Sequence, residues 1–243
     1  MPNRYCVIIP TYNNCGTVQD VIERVLKQCG DVIVVNDGST DSTYDILQGI
    51  TGIKVLTHSR NLGKGMALKT GLREAIKDGF SHALTIDADG QHFPEDIPVL
   101  MEASKSNPGS IIIGCRNLTS ENMPRGNTFA NRFSNFWFRL QTGQRIDDTQ
   151  SGFRIYPLGS IHGMGLVTSR YESELELMVF AAWHGVRIQG VPVRVLYQPE
   201  GERVSHFRPF RDFFRISVLN TILCLGALFY GLPMSLFRLI RGR

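Results

Sequence analysis

The sequence contains no Cys-x-x-Cys pair, and its five cysteines (Cys6, Cys15, Cys29, Cys115, Cys224) are odd in number and scattered. Neither a disulfide framework nor a zinc site is suggested; free thiols in a reducing compartment fit better. No Gly-x-x-x-x-Gly-Lys-Ser/Thr run is present and no Gly-x-Gly-x-x-Gly follows the first strand pattern, which argues against a P-loop and a dinucleotide site. The opening segment, MPNRYCVIIPTYNN, has no apolar stretch long enough for a signal peptide. A cytoplasmic-side protein is the expectation. Net charge is only +4, too mild to argue for a nucleic-acid partner, and none is expected. Acids are nearly missing from one region: between Arg203 and Arg243 stand seven arginines against Asp212 alone. Such a bias suits anionic phosphates or an anionic lipid surface.

What is present is a globular composition, 42% hydrophobic and 20% charged over 243 residues, enough for one large α/β domain or one domain with an appendage. Short β-branched runs at Tyr5–Ile9, Asp31–Asn36, Ile53–Leu56, Ala83–Asp87 and Ser110–Gly114 read as strands covered on both faces, hence a parallel sheet. Helical patterns lie between them at Thr17–Cys29, Lys64–Lys77 and Pro94–Ser104, the last opened by Pro and two acids. Repeated β-α-β units predict a single doubly wound sheet with ligands at the carboxyl ends of its strands. Further on, an aromatic-rich helix carries Phe133, Phe136, Trp137 and Leu140, whose helical spacing predicts core packing. A loop into a strand follows at Asp147–Pro157, then a helix at Tyr171–Gly185 and a strand or hairpin at Val186–Tyr197. Residues 216–240 are nearly free of charge and long enough to span a bilayer. Asn220, Thr221, Gly226, Gly231 and Pro233 favour instead an interfacial or partly inserted helix. We divide the chain into a domain over 1–212 and an apolar, basic, membrane-associated segment over 213–243.

The chemistry-bearing residues fall at the strand ends: PTYNN (10–14), NDGSTDST (36–43), NLGKG (61–65) and DADGQ (87–91). Each alone is a weak signal, since Asp and Gly also make ordinary turns. Together they place four polar, Gly-bearing loops on one rim. Asp87 and Asp89 stand one residue apart, a like-charge pair that raises cost unless a cation joins it.

With these loops placed, the chain resembles the family 2 glycosyltransferases of GT-A fold, and within them the dolichyl- and polyprenyl-phosphate mannose and glucose synthases and their bacterial relatives. The carrying motifs are IIPTYNN, VIVVNDGSTDST, NLGKG, IDADGQHFPED, GCRN, DTQSGFRIY and VPVRVLY…SHFRP, in family order from about Tyr5 to Phe210. The resemblance implies that Pro10, Tyr12, Asn14, Asp37, Gly38, Lys64, Asp87 and Ala88 bind a UDP- or GDP-sugar. Where the family's first motif often has Glu, this chain has Asn14. Asp87, Asp89 and Gln91 would hold Mg²⁺ or Mn²⁺, hard ions that prefer oxygen ligands, against the donor diphosphate.

A lipid-phosphate acceptor is already ionised near neutral pH and needs positive charge to hold it. The resemblance gives that task to Arg116, to Arg125 or Arg132 with Ser134, and to a loop around Arg203, Ser205, His206 and Arg208, with Asp148, Gln150 and Ser151 lining the acceptor side. A hydroxyl acceptor would instead need a general base, for which Glu172 and Glu174 are the candidates; helix N-terminal acids answering the dipole is the competing account. His58, His82, His162 and His184 are assigned to structure, and His92 to a supporting position behind Asp89. The expected activity is a metal-dependent inverting glycosyl transfer from a nucleotide-diphospho-sugar to a membrane-bound acceptor. A sugar nucleotidyltransferase and a non-catalytic membrane-recruited binding protein stand as rivals from other classes.

Overall fold

A computed structural model describes residues 3–116, 125–165, 167–170, 172–196 and 209–234, together with Phe237. The first half alternates as its periodicity dictates: β1 (Tyr5–Thr11), α1 (Val18–Leu26), β2 (Val32–Asn36), α2 (Thr43–Gly49), β3 (Ile53–Thr57), α3 (Lys64–Lys77) and β4 (His82–Thr85). A single 3₁₀ turn at Pro94–Asp96 leads into α4 (Ile97–Ser106) and β5 (Ile111–Arg116). The second half holds α5 (Arg125–Thr142), β6 (Arg154–Pro157), α6 (Leu158–Ile161), α7 (Glu172–Trp183), β7 (Ile188–Val193) and α8 (Pro209–Gly226), which widens into a π turn over Ala227–Gly231.

The strands form one sheet in the order β3-β2-β1-β4-β6-β5-β7. β1 to β4 pair parallel, as do β5 and β7; β6 runs antiparallel to both of its neighbours, β4 and β5. The sheet is thus mostly parallel, with one reversed strand. β1 and β2 are buried almost throughout because helices cover both faces, giving two apolar layers, one around Ile8, Ala67, Leu68 and Met178 and the other around Val7, Ile9, Val21 and Leu100. β3 departs from the expected double cover: it is the edge strand, and Lys54 and Thr57 are exposed. The stretch 186–197 yields one strand and no hairpin among the described residues.

Two sequence expectations fail on α5. Among the described side chains Phe138 is its fully buried aromatic, whereas Phe136 and Leu140 are each 60% exposed. Spacing alone could not tell which stripe faces α7 and α8, against which this helix packs, because apolar residues occupy more than one of its faces. α2 was also not anticipated; its seven residues, TYDILQG, are too few and too polar to show a clear period.

α8 is two-faced. Leu219, Leu223 and Ala227 are buried against the domain, while Val218, Ile222, Leu225, Phe229 and Leu232 are exposed. Buried Asn220 accepts hydrogen bonds from Gln141 Nε2, at 3.0 Å to its side chain and 3.2 Å to its carbonyl. Gly226 and Gly231 let the helix close onto the Trp183 ring: a Cβ there would lie 2.8 and 2.5 Å from ring atoms. Three of the residues that weakened a spanning helix in the sequence, Asn220, Gly226 and Gly231, are therefore those that dock it, whereas Thr221 and Pro233 are exposed. The boundary expected at 212/213 lies inside α8. Arg215–Met234 is the one stretch among the described residues long and apolar enough to cross a membrane.

Candidate active site

The carboxyl ends of β1, β2 and β4 and the loop before α3 meet on one rim. Asn13 has a left-handed φ of 52° and stitches the first two loops, receiving Thr40 N at 2.8 Å while its own N–H donates to Ser39 Oγ. Asn14 is buried, and its Oδ1 accepts from Thr11 Oγ1 and Tyr12 N; it shapes the loop that carries half-buried Tyr12. Pro10 sits within β1 opposite Val35. Gly38, at φ 69°, is required by close approach, since a Cβ would meet the Arg60 backbone at 2.4 Å.

Asp37 is buried, and its carboxylate already accepts three bonds: His58 Nδ1 at 2.7 Å, Leu62 N at 2.9 Å and Gly63 N at 2.7 Å. His58 in turn meets Thr70 Oγ1 at 2.9 Å. Asp37 thus fixes the loop that delivers Lys64, the first residue of α3, and His58 has the structural place expected of it. A carboxylate offers about four acceptor sites, which leaves Asp37 about one for a ligand.

Lys64 Nζ lies 2.7 Å from Asp87 Oδ1 and 3.2 Å from Glu174 Oε2. It joins a loop after β4 to the first turn of α7. Burial opposes ionisation of Asp87, but the Lys64 ammonium outweighs it and holds the carboxyl below the ordinary carboxylate range. Asp89 behaves oppositely. Burial, reinforced by the charge of Asp87, raises it to about 6, and the Gln91 N–H donates to it at 2.9 Å. Thr17 Oγ1 donates to the carbonyl of buried Ala88 at 2.6 Å, tying this loop to the start of α1. Gly152 presses on Asp87 from the β6 side, where a Cβ would stand 2.5 Å from Oδ2. Among the described residues, no three His, Cys, Asp or Glu side chains gather as a metal-binding group.

Among the residues that the resemblance gives to the acceptor, Arg116 grips fully buried Asp148 in a fork, Nε to Oδ2 at 2.6 Å and Nη2 to Oδ1 at 2.8 Å. Burial works against that carboxylate, and the guanidinium more than compensates, so Asp148 is held low. Asn131 of α5 donates to the same carboxylate, and so does the backbone N–H of exposed Gln150. Buried Ser134 accepts from Thr149 Oγ1 at 2.8 Å, and buried Ser151 accepts from Phe153 N. Arg132 is exposed on α5. The Arg125 side chain, and all of Arg203, Ser205, His206 and Arg208, lie outside the described residues.

The two base candidates separate. Glu174 faces the rim through Lys64. Glu172 turns toward α8, with Oε1 3.3 Å from Arg215 Nε and Oε2 buried without a hydrogen-bond partner among the described residues. His92 is buried behind the Asp87–Gln91 loop, with Nδ1 unpartnered among the described residues. Burial dominates there and, despite the pull of Asp87, lowers its pKa to about 4, so it is neutral.

Two residues of the site were not anticipated. Arg154 at the start of β6 is 1% exposed, and Glu176 on α7 accepts from Val167 N and Thr168 N, seating a segment whose Ser169 carbonyl accepts from Met66 N beside Lys64. Arg154 is hidden in sequence because FRIY alternates like an ordinary half-buried strand.

A family model, Glycosyl transferase family 2, matches residues 6–161. An uncharacterised protein of Methanocaldococcus jannaschii is 32% identical over 199 residues, covering 79% of this chain and 81% of that protein. The UDP-N-acetylglucosamine–dolichyl-phosphate N-acetylglucosaminyltransferase of Methanococcus voltae is 29% identical over 213 residues, covering 79% and 85%. The undecaprenyl-phosphate mannosyltransferase of Micrococcus luteus is 28% identical over 211 residues, covering 82% and 86%. Among solved structures, glucosyl-3-phosphoglycerate synthase from Mycobacterium tuberculosis, in complex with Mn²⁺, UDP and phosphoglyceric acid, aligns with a TM-score of 0.68. The alignment covers 93% of this chain and 78% of that one at 18% identity, a likeness of fold.

Proposed function

The chain belongs to glycosyl transferase family 2 and has the GT-A fold, and from that premise we propose that it moves a sugar from a UDP- or GDP-sugar to a polyprenyl phosphate, with inversion at the anomeric carbon. One observation carries the choice of acceptor. Both base candidates are ion-paired, Glu174 with Lys64 and Glu172 through Oε1 with Arg215, and the second oxygen of Glu172 is buried on the α8 side. A phosphate monoester arrives ionised and needs no base; it needs to be held in line. The relatives named for dolichyl and undecaprenyl phosphate point the same way.

The oxygen donors of the Asp87–Gln91 loop suit a hard divalent cation. Asp89 has the charge of Asp87 beside it and makes no ion pair with a cation among the described residues, while Lys64 pairs with Asp87 and Glu174. We assign Asp87, Asp89 and Gln91 to Mg²⁺ or Mn²⁺, which would neutralise charge on the departing nucleotide. The chain's own residues do the rest. Asp37 and His58 fix the loop that aims Lys64 at the donor side. The Arg116–Asp148 fork holds a guanidinium at the acceptor side in one orientation. The exposed apolar face of α8 would rest on the cytoplasmic membrane surface and bring the rim to a lipid headgroup.

The test is nucleotide release from a panel of UDP- and GDP-sugars with Mn²⁺, with and without a short polyprenyl phosphate. Release should require the lipid, and labelled sugar should pass into the organic phase. Lipid-independent release, or none, would overturn the acceptor assignment and return attention to hydroxyl acceptors.

A further inference from the structure

Arg154 is a fully buried guanidinium with no carboxylate bonded to it among the described residues. Four neutral oxygens accept from it: Ser151 O from Nε at 2.6 Å, Thr149 O from Nη2 at 3.0 Å, and Tyr156 Oη and Glu174 O from Nη1, each at 3.2 Å. Burying a charge without an opposite charge in contact is costly, so its placement asks for a reason. The oxygens it holds supply one. Thr149 and Ser151 belong to the acceptor-side loop, whose Asp148 binds Arg116. Glu174 belongs to α7 and, through Lys64, bears on Asp87. Glycine between Ser151 and Phe153 lets the same loop lie against Asp87, and Thr85 Oγ1 bonds the Gly152 carbonyl at 2.8 Å.

We propose that Arg154 is the positioning residue that sets the separation of the donor and acceptor halves of the site, one rigid fork pinning the 149–151 loop and the first turn of α7 at fixed distance. The fork geometry does this, because a lysine in the same place offers a compact ammonium on a flexible stem. Its charge supports the arrangement secondarily, facing Asp87, Asp148 and Glu174 from beneath.

The inference rests on the transfer reaction proposed above, and its test has one arm that does not. Arg154→Lys and Tyr156→Phe are compared with the unaltered protein, the second variant removing one bond and keeping the buried ring. With UDP- or GDP-sugar and polyprenyl phosphate, Arg154→Lys should lower kcat about 100-fold, the cost of a misplacement of about 1 Å. KM for each substrate should stay within about threefold, and the ratio of donor hydrolysis to transfer should rise. Tyr156→Phe should show the same shift in ratio at several-fold lower kcat. Independently of any acceptor, amide exchange should quicken together at 147–153 and 172–177 in both variants while β1 and β2 stay protected. Rescue of kcat and partition by lysine overturns the proposal. So does exchange that quickens uniformly, at one segment only, or at neither. If the unaltered protein glycosylates no polyprenyl phosphate, the acceptor reading has failed, and the exchange arm still decides the role of Arg154.

Discussion

Gly152→Ala isolates the placement of a single carboxylate. Gly152 does not have a left-handed φ, so alanine meets no backbone penalty and acts by contact alone. Its Cβ would stand 2.5 Å from Asp87 Oδ2 and 2.9 Å from Cγ and Oδ1. To recover an ordinary contact of 3.4 Å, the carboxylate must withdraw about 0.9 Å, the difference between 3.4 and 2.5 Å. Overpacking of this kind costs about 1–3 kcal/mol, which for a chain of this size lowers Tm by roughly 2–12 °C. The larger effect falls on turnover. Asp87 would leave both Lys64 and the proposed cation position, and a shift of about 1 Å predicts a loss on the order of 100-fold in kcat. Thermal unfolding, steady-state rates and the Mn²⁺ concentration for half-maximal rate measure the three consequences. Gly49→Ala is the control, because nothing lies within 4 Å of a Cβ at that position in α2; it should be neutral or slightly stabilising. A Gly152→Ala protein with unchanged rate and Mn²⁺ requirement would refute the placement of Asp87 in the site.

Asp89→Asn should abolish turnover with the fold intact, as far-UV circular dichroism and rate assays would show. Because the Asp89 pKa is raised in the folded state, to about 6 from 3.8, the metal-free protein should be stabler below pH about 4 and lose that increment as pH rises through about 6. The asparagine variant should lack this fall in denaturant midpoint, and divalent-cation affinity of the unaltered protein should climb through the same interval. Lys64→Met leaves Asp87 and Glu174 facing each other without their cation and should cost about 3 kcal/mol of stability along with donor affinity, read by thermal unfolding and nucleotide titration. Ile222→Asp with Phe229→Asp, at positions 59% and 75% exposed, should leave Tm unchanged. Binding to anionic vesicles in a sedimentation assay should fall at least tenfold, since each buried apolar side chain contributes about 1.5–3 kcal/mol.

The parallel half of the fold was legible because its strands are short, mostly apolar runs and its loops interrupt them with Asn, Asp and Gly. Runs such as VIVVN and HALT have one workable placement, inside a covered sheet. The direction of β6 was not legible, since RIYP reads the same in either sense and only its neighbours β4 and β5 decide. Asp87 and Asp89 announced themselves by adjacency. The Lys64–Asp87–Glu174 cluster did not, because its members come from three elements far apart in sequence and no local spacing records their meeting. Arg154 escaped for a different reason: an arginine in a strand is ordinarily an outward residue, and its burial is a tertiary fact. On α5 the aromatic stripe misled because apolar residues there serve two surfaces, the buried side through Phe138 and the exposed side through Phe136.

The reversed strand has a consequence for how such a protein could diversify. Reading across the sheet, β3, β2, β1 and β4 carry the loops assigned to the nucleotide, and β6, β5 and β7 carry those assigned to what receives the sugar. Within the sheet the two groups pair along one antiparallel seam, Thr85 opposite Arg154, and outside it they meet again where Leu196 N donates to the Gln91 carbonyl and Lys64 reaches Glu174. A change of acceptor would therefore call for new loops on one flank, with the seam and these two contacts kept. A chimera that exchanges the β5–β7 flank between two such chains, and preserves the partners of Arg154, should inherit its donor from one parent and its acceptor from the other.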